Sequence, residues 1–120
     1  MKASEIIKAD AVKNKIDPDK ALQAISQAVK NKSAILMQEN NSVLLVRKIS
    51  EKAADLHLAT LDSPVVLGKS ILKFAKRSKA LGIEQWYGKA DNQKIIELMK
   101  TIGLNIKASN LAQYNWKADL

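Results

Sequence analysis

Three sets of residues in this chain have types and spacing that could carry chemistry. The first is Gly68-Lys69-Ser70, which closes the stretch "DSPVVLGKS" between a strand-like segment and a helix start. A glycine-bearing turn before a helix offers free backbone amides and the positive end of the helix dipole to a phosphate. A nucleotide P-loop also needs glycine five residues before Gly68. Ser63 stands there, with Pro64 beside it, so the Walker pattern is incomplete. Gly68 then reads as a helix residue where the backbone passes close to a neighbouring strand. The second is His57, the single histidine, whose imidazole could act as a general base. No serine, aspartate or other carboxylate stands at a spacing that would complete such a site, so it reads as a structural or exposed side chain. The third is a run of cations. Residues 63–83 contain no acid, and Lys69, Lys73, Lys76, Arg77 and Lys79 fall on a helical arc of roughly 160°. Leu67, Ile71, Phe74, Ala75 and Leu81 lie opposite and should face a core. The basic arc is either a solvated face or a docking surface. Five like charges with no acid between them weaken a helix, which argues for a partner.

The totals narrow the chemistry. There is no cysteine, so disulfides and thiolate chemistry are excluded, and with one histidine a zinc site would need carboxylates for its other ligands, so no metal is expected. The formal charge of +8 suits an acidic protein surface or a polyanion. Only Arg47 and Arg77 could supply guanidinium forks for base edges, so any nucleic-acid contact should be non-specific. Trp86, Tyr87, Tyr114 and Trp116 could stack on bases but suit a core or an interface better. The N-terminus carries charges where a signal peptide needs an apolar run, and no stretch nears the ~20 apolar residues of a membrane span. A protein that is not secreted is expected.

The elements that must hold these residues follow from period and punctuation. Residues 1–13 show a helical period, and Asn14-Lys15-Ile16 links them to a second helix. Asp17 caps that helix, Pro18 fills its first position, and it ends near Lys32. Residues 33–49 form two apolar runs around Asn40-Asn41, which predicts a β-hairpin. Residues 54–61 alternate, with Leu56, Leu58 and Thr60 on one face and Asp55, His57 and Ala59 on the other. Ser63 and Pro64 start a helix that runs to Leu81 and stops at Gly82. A strand at 83–89, a helix capped by Asp91 or Asn92 and ended by Gly103, and a hairpin over 105–117 turning at Ser109-Asn110 complete the chain. The expected fold is a single α/β (α+β) domain over residues 1–120, in the order α-α-β-β-β-α-β-α-β-β, with residues 1–14 peripheral. The strand–helix–strand step makes two strands parallel, so the sheet is mixed.

This order resembles the GNAT fold of Gcn5-related N-acetyltransferases without its usual first strand. "NQKIIELMKTIGLN" (92–105) is similar to the family's Asn-x-x-Ala-x-x-Leu-Tyr-Glu-Lys-Leu-Gly-Phe stretch through Asn92, Leu98 and Gly103. The resemblance implies an acetyl-CoA site at the turn before the 64–81 helix. There the family's Arg/Gln-x-x-Gly-x-Gly/Ala becomes Val65-x-x-Gly68-x-Ser70, and Pro64 has no amide to give. It also implies a tyrosine proton donor where this chain has Met99, and a strand carboxylate for which Glu51 and Asp55 are the nearest candidates. The opening "MKASEIIKAD" followed by a degenerate core resembles small head-assembly proteins of short-tailed bacteriophages. That resemblance implies a non-enzymatic role in virion assembly, in host cytoplasm or virion, without a cofactor and with phage assembly proteins as partners of the basic helix. The alternatives are an acyltransferase that holds acetyl-CoA on Val66, Leu67, Gly68 and Lys69, and a non-specific DNA binder.

Overall fold

The computed structural model describes residues 1–89 and 93–120. Its elements are α1 (Ala3–Lys13), α2 (Pro18–Lys30), β1 (Ile35–Glu39), β2 (Ser42–Lys48), β3 (Ala53–Thr60), α3 (Pro64–Ala80), β4 (Gln85–Gly88), α4 (Gln93–Thr101), β5 (Asn105–Ala108) and β6 (Trp116–Asp119). This is the order expected from the sequence. The strands form one six-stranded sheet, β1-β2-β3-β4-β6-β5. Among the described residues only β3 and β4, joined by the α3 crossover, are parallel. Among the described residues no helix is long and apolar enough to cross a membrane.

Local chemistry explains most boundaries. The Asp17 carboxylate accepts hydrogen bonds from the amides of Asp19 (3.0 Å) and Lys20 (3.3 Å), and Pro18 follows as the first helical residue. Asn40 takes a φ of 52° in the β1–β2 turn, and Gly82 and Gly103 take φ of 86° and 98° beyond the ends of α3 and α4. Ser63 and Pro64 start α3 as expected. Ser63 holds the N-cap position, but its side chain makes no capping hydrogen bond. The cap expected from Asp91 or Asn92 lies outside the described residues. The C-terminal hairpin closes through the longer loop 109–115 rather than a turn at Ser109-Asn110, and β6 pairs with β4 as well as β5.

The sheet buries both faces. On one, Leu44, Val46, Ala54, Trp86 and Ala118 pack with Leu67, Ile71 and Phe74 of α3 and with Ile96 and Met99 of α4. Full burial of a side chain such as Phe74 is worth about 1.5–3 kcal/mol. On the other, Val43 and Ala59 pack with Ile6 and Ile7 of α1. The first helix is therefore integral to the fold and not peripheral, because Ile6 is fully buried. Gly68 also has a different neighbour from the one expected. A Cβ there would meet Ile102 Cγ2 at 3.2 Å and Leu98 Cδ1 at 3.5 Å, so the close approach is to the α4 segment and not to a strand.

Candidate functional site

The parallel pair does not stay paired. β3 is matched to β4 only at Ala53, Ala54 and Asp55, opposite Gln85, Trp86 and Tyr87, and then runs on to Thr60 beside β2 alone. The hydrogen bonds Ile49 N to Ala53 O and Leu61 N to Asn41 O fix the alternation along β3. They turn the backbone groups of residues 53, 55, 57, 59 and 61 toward β2 and those of residues 56, 58 and 60 the other way. Among the described residues no strand pairs with that other side beyond Asp55. The Leu56 carbonyl and the Leu58 amide and carbonyl therefore border a gap as an unpaired strand edge.

Trp116 helps to part the strands. Alternation along β4 turns Gly88 toward β6, where its carbonyl accepts from the Asn115 amide, and would turn Lys89 toward β3. The Lys89 carbonyl instead accepts from the Trp116 indole Nε1 at 3.3 Å. The indole lies directly over Gly88, where a Cβ would stand 2.3 Å from Trp116 Cζ2. Only glycine allows that crossing. The Thr60 amide, also on the open side of β3, is taken by the Asp10 carboxylate of α1 at 3.1 Å.

A cleft of about 780 Å³ fills the gap and passes between the two faces of the sheet. Its α3/α4 side is apolar, with Leu56, Leu58, Phe74 and Met99 among the lining residues. Its α1/α2 side carries Asp10, Arg47, Asp55, His57 and Tyr114. The gap lies at the carboxyl ends of a parallel pair between flanking antiparallel strands, a position that recurs as a ligand site in α/β sheets.

At the apex, where the strands part, polar side chains interlock. Arg47 sits opposite Asp55 on β2. Its Nε donates to Asp55 Oδ1 at 3.2 Å and its Nη2 to Oδ2. Tyr114, on the loop between β5 and β6, donates its hydroxyl proton to Asp55 Oδ2 at 2.6 Å. Its ring packs against Tyr87, with centroids 5.6 Å apart, and the Tyr87 hydroxyl donates to Asn110 Oδ1 at 2.8 Å. The loop is thus pinned to the sheet by two tyrosines. The hydrogen bond to Asp55, with burial and the Asp55 charge behind it, raises the Tyr114 phenol above its ordinary pKa, and Arg47 only partly opposes this. The same carboxylate raises the Arg47 guanidinium, first through its hydrogen bond. Asp55 therefore spends its oxygens holding the Tyr114 proton in place, and the phenol is the group at the apex with a proton to give.

The sequence-expected residues are distributed unevenly around this cleft. Asp55 and Met99 line it, while Glu51 is exposed in the β2–β3 turn. Met99 is buried in the α3/α4 core and has no proton to donate. His57 is exposed on the cleft wall, as one of its expected roles had it. Trp86 is core and donates its indole N–H to Ser78 Oγ at 3.1 Å, and Tyr87 and Trp116 are packed too. Val66, Leu67, Gly68 and Lys69 do not line the cleft. The Leu67 amide already donates to the Ser63 carbonyl at 2.8 Å, and Gly68 lies beyond the orphan amides of the first turn. With Pro64 lacking an N–H, Val65 and Val66 hold the free amides inside the start of α3. The five stripe cations are all exposed, but Lys73 and Arg77 reach Glu39 of β1 at 3.7 and 3.0 Å. Leu81, expected behind the stripe, is 48% exposed. The sequence reading missed Tyr114 as a site residue. It lies 59 positions from Asp55 in a loop whose path only the fold determines.

No protein-family model and no curated protein matches this sequence. Solved structures do match its shape. The N-acetyltransferase PseH of Campylobacter jejuni, in complex with acetyl coenzyme A, superposes with a TM-score of 0.59 at 17% identity, over 100% of this chain and 92% of that one. A spermidine N-acetyltransferase chimera from Vibrio cholerae matches with a TM-score of 0.58 at 7% identity, over 99% and 90%. A probable GNAT-family acetyltransferase of Chromobacterium violaceum matches at 0.56 and 13% identity, over 86% and 65%. The chain has the GNAT fold.

Proposed function

We propose that the protein binds an acyl-CoA thioester in the β3–β4 cleft and transfers the acyl group to an amine. The observation that carries this reading is the unpaired edge of β3 beyond Asp55 beside a cleft with a phenolic proton at its apex. An extended arm bearing amides can pair with such an edge as an added strand would. The Leu58 amide and carbonyl and the Leu56 carbonyl are the groups that fit it. The diphosphate end has less to hold it, namely the Val65 and Val66 amides at the start of α3. Lys69 lies on the outer face of that helix. The presence of acetyl coenzyme A in a protein of the same fold supports the choice of thioester.

The thioester supplies an acyl carbon open to amine attack: a C–N bond forms, a C–S bond breaks, and the proton shed by the amine nitrogen passes to water, from which the phenol is reprotonated after it protonates the thiolate. Tyr114 is placed to give its proton to the departing sulfur. Asp55 fixes the direction of that hydroxyl, and Arg47 orients the carboxylate through two hydrogen bonds. A tyrosine phenol is neutral at physiological pH even at its ordinary pKa of about 10, and the raised value here keeps it so. Isothermal calorimetry with acetyl-CoA tests the reading: micromolar binding supports it, and no heat at millimolar ligand contradicts it. A second reading is favoured by Pro64 and Met99, which remove a phosphate donor and a proton donor. It is a non-catalytic assembly protein of a short-tailed phage virion that needs no cofactor. A calorimetric blank would move the account to that reading, or to a non-specific DNA binder if affinity for a duplex fell steeply with salt.

A further inference from the structure

The outer face of α3 has a chemistry that neither the cleft nor the core uses. Two of its five cations are already committed, since Lys73 and Arg77 both reach the half-buried Glu39 carboxylate. Among the described residues Lys69, Lys76 and Lys79 form no ion pair. Two exposed aliphatic side chains share their face: Val65 (72% exposed), one turn before Lys69, and Leu72 (45%), between Lys69 and Lys76. At 100° per residue, Val65, Lys69, Leu72, Lys76 and Lys79 fall within an arc of about 80°. They make one ridge about 21 Å long in which two aliphatic side chains are interspersed among three lysines.

We propose that this ridge docks an acidic amphipathic helix of a partner protein. Charge decides the sign of the partner, because residues 63–83 hold no acid and the chain carries +8 overall. The aliphatic side chains decide its class. Leu72 gains nothing against a phosphate backbone but is covered by an apolar residue on a helix, and the lysines on either side of it in sequence, Lys69 and Lys76, then meet carboxylates about two turns apart. Nucleic acid fits less well, because Arg77, the arginine of this helix, is held by Glu39. The inference is independent of the cleft and its ligand.

The test is fluorescence anisotropy on the intact protein with three labelled probes: an acidic amphipathic helical peptide of about 14 residues, polyglutamate of equal charge, and a DNA duplex. The peptide is expected to bind about tenfold more tightly than polyglutamate. Lys69→Glu with Lys76→Glu is expected to weaken peptide binding by about tenfold, and Leu72→Ser by about threefold, with thermal unfolding unchanged for these exposed positions. If the double charge reversal unfolds, Lys69→Gln with Lys76→Gln serves in its place, with the same direction of effect. Peptide and polyglutamate binding alike, a duplex preferred over the peptide, no peptide binding, or indifference to the lysine and Leu72 changes would each overturn the proposal.

Discussion

The two ends of the cleft are built differently. At the apex, Arg47, Asp55 and Tyr114 come from two strands and a distant loop and complete one another's hydrogen bonds. Beyond the far end of β3, toward the start of α3, no such set of side chains among the described residues converges on the cleft. Ser63 makes no cap, Pro64 gives no amide, and the nearby Asp62 carboxylate is occupied by the Asn41 amide at 3.0 Å and the Ser42 hydroxyl at 2.7 Å. The difference separates proton handling from anchoring. The apex is organised for a fixed phenol, while the far end offers a diphosphate little beyond two amides and a helix dipole. Weak binding with an intact apex is what this asymmetry predicts.

Breaking the apex should cost the most. Gly88→Ala puts a methyl inside the Trp116 ring and should destabilise the fold by about 3 kcal/mol in urea unfolding, at the upper end for overpacking. A cost near zero would mean that the indole is free to move and does not part the strands. Tyr114→Phe removes the proton and should leave acetyl-CoA binding unchanged while lowering the transfer rate about a hundredfold. Equal rates would place proton transfer elsewhere. Asp55→Asn sharpens the same point spectroscopically: phenolate absorbance should show Tyr114 titrating closer to the ordinary value of about 10. The sign for stability follows. Because the folded phenol is raised, its contribution is complete below about pH 10 and is lost as pH climbs through the folded value. The wild type should therefore lose its stability advantage over Asp55→Asn at alkaline pH. The smallest effect belongs to the local end. Ser63→Ala should change stability by less than about 0.5 kcal/mol, whereas Asp17→Ala, which removes two amide contacts at the start of α2, should cost about 1 kcal/mol.

The element order was legible because short-range signals set it. Asp17-Pro18, Asn40, Gly82 and Gly103 mark boundaries through capping and positive φ, and the alternation of residues 54–61 assigns each side chain to its observed face. The cleft was less legible, since its position depends on where β3 and β4 cease to pair. That point depends on Trp116 crossing Gly88, a contact between residues 28 positions apart whose only sequence trace is a glycine in a strand. The cations do lie exposed along one helix, but composition could not tell that Glu39 would pair with two of them. Placing acetyl-CoA on Val66 to Lys69 followed a glycine that turned out to serve helix packing.

Amide-resolved NMR of labelled protein titrated with acetyl-CoA tests the central claim most directly. The account predicts shifts concentrated at Leu56 to Thr60, with smaller ones at Val65 and Val66, and a Leu58→Pro variant that loses them by losing the edge amide. Shifts confined to the outer face of α3, or none along β3, would contradict it.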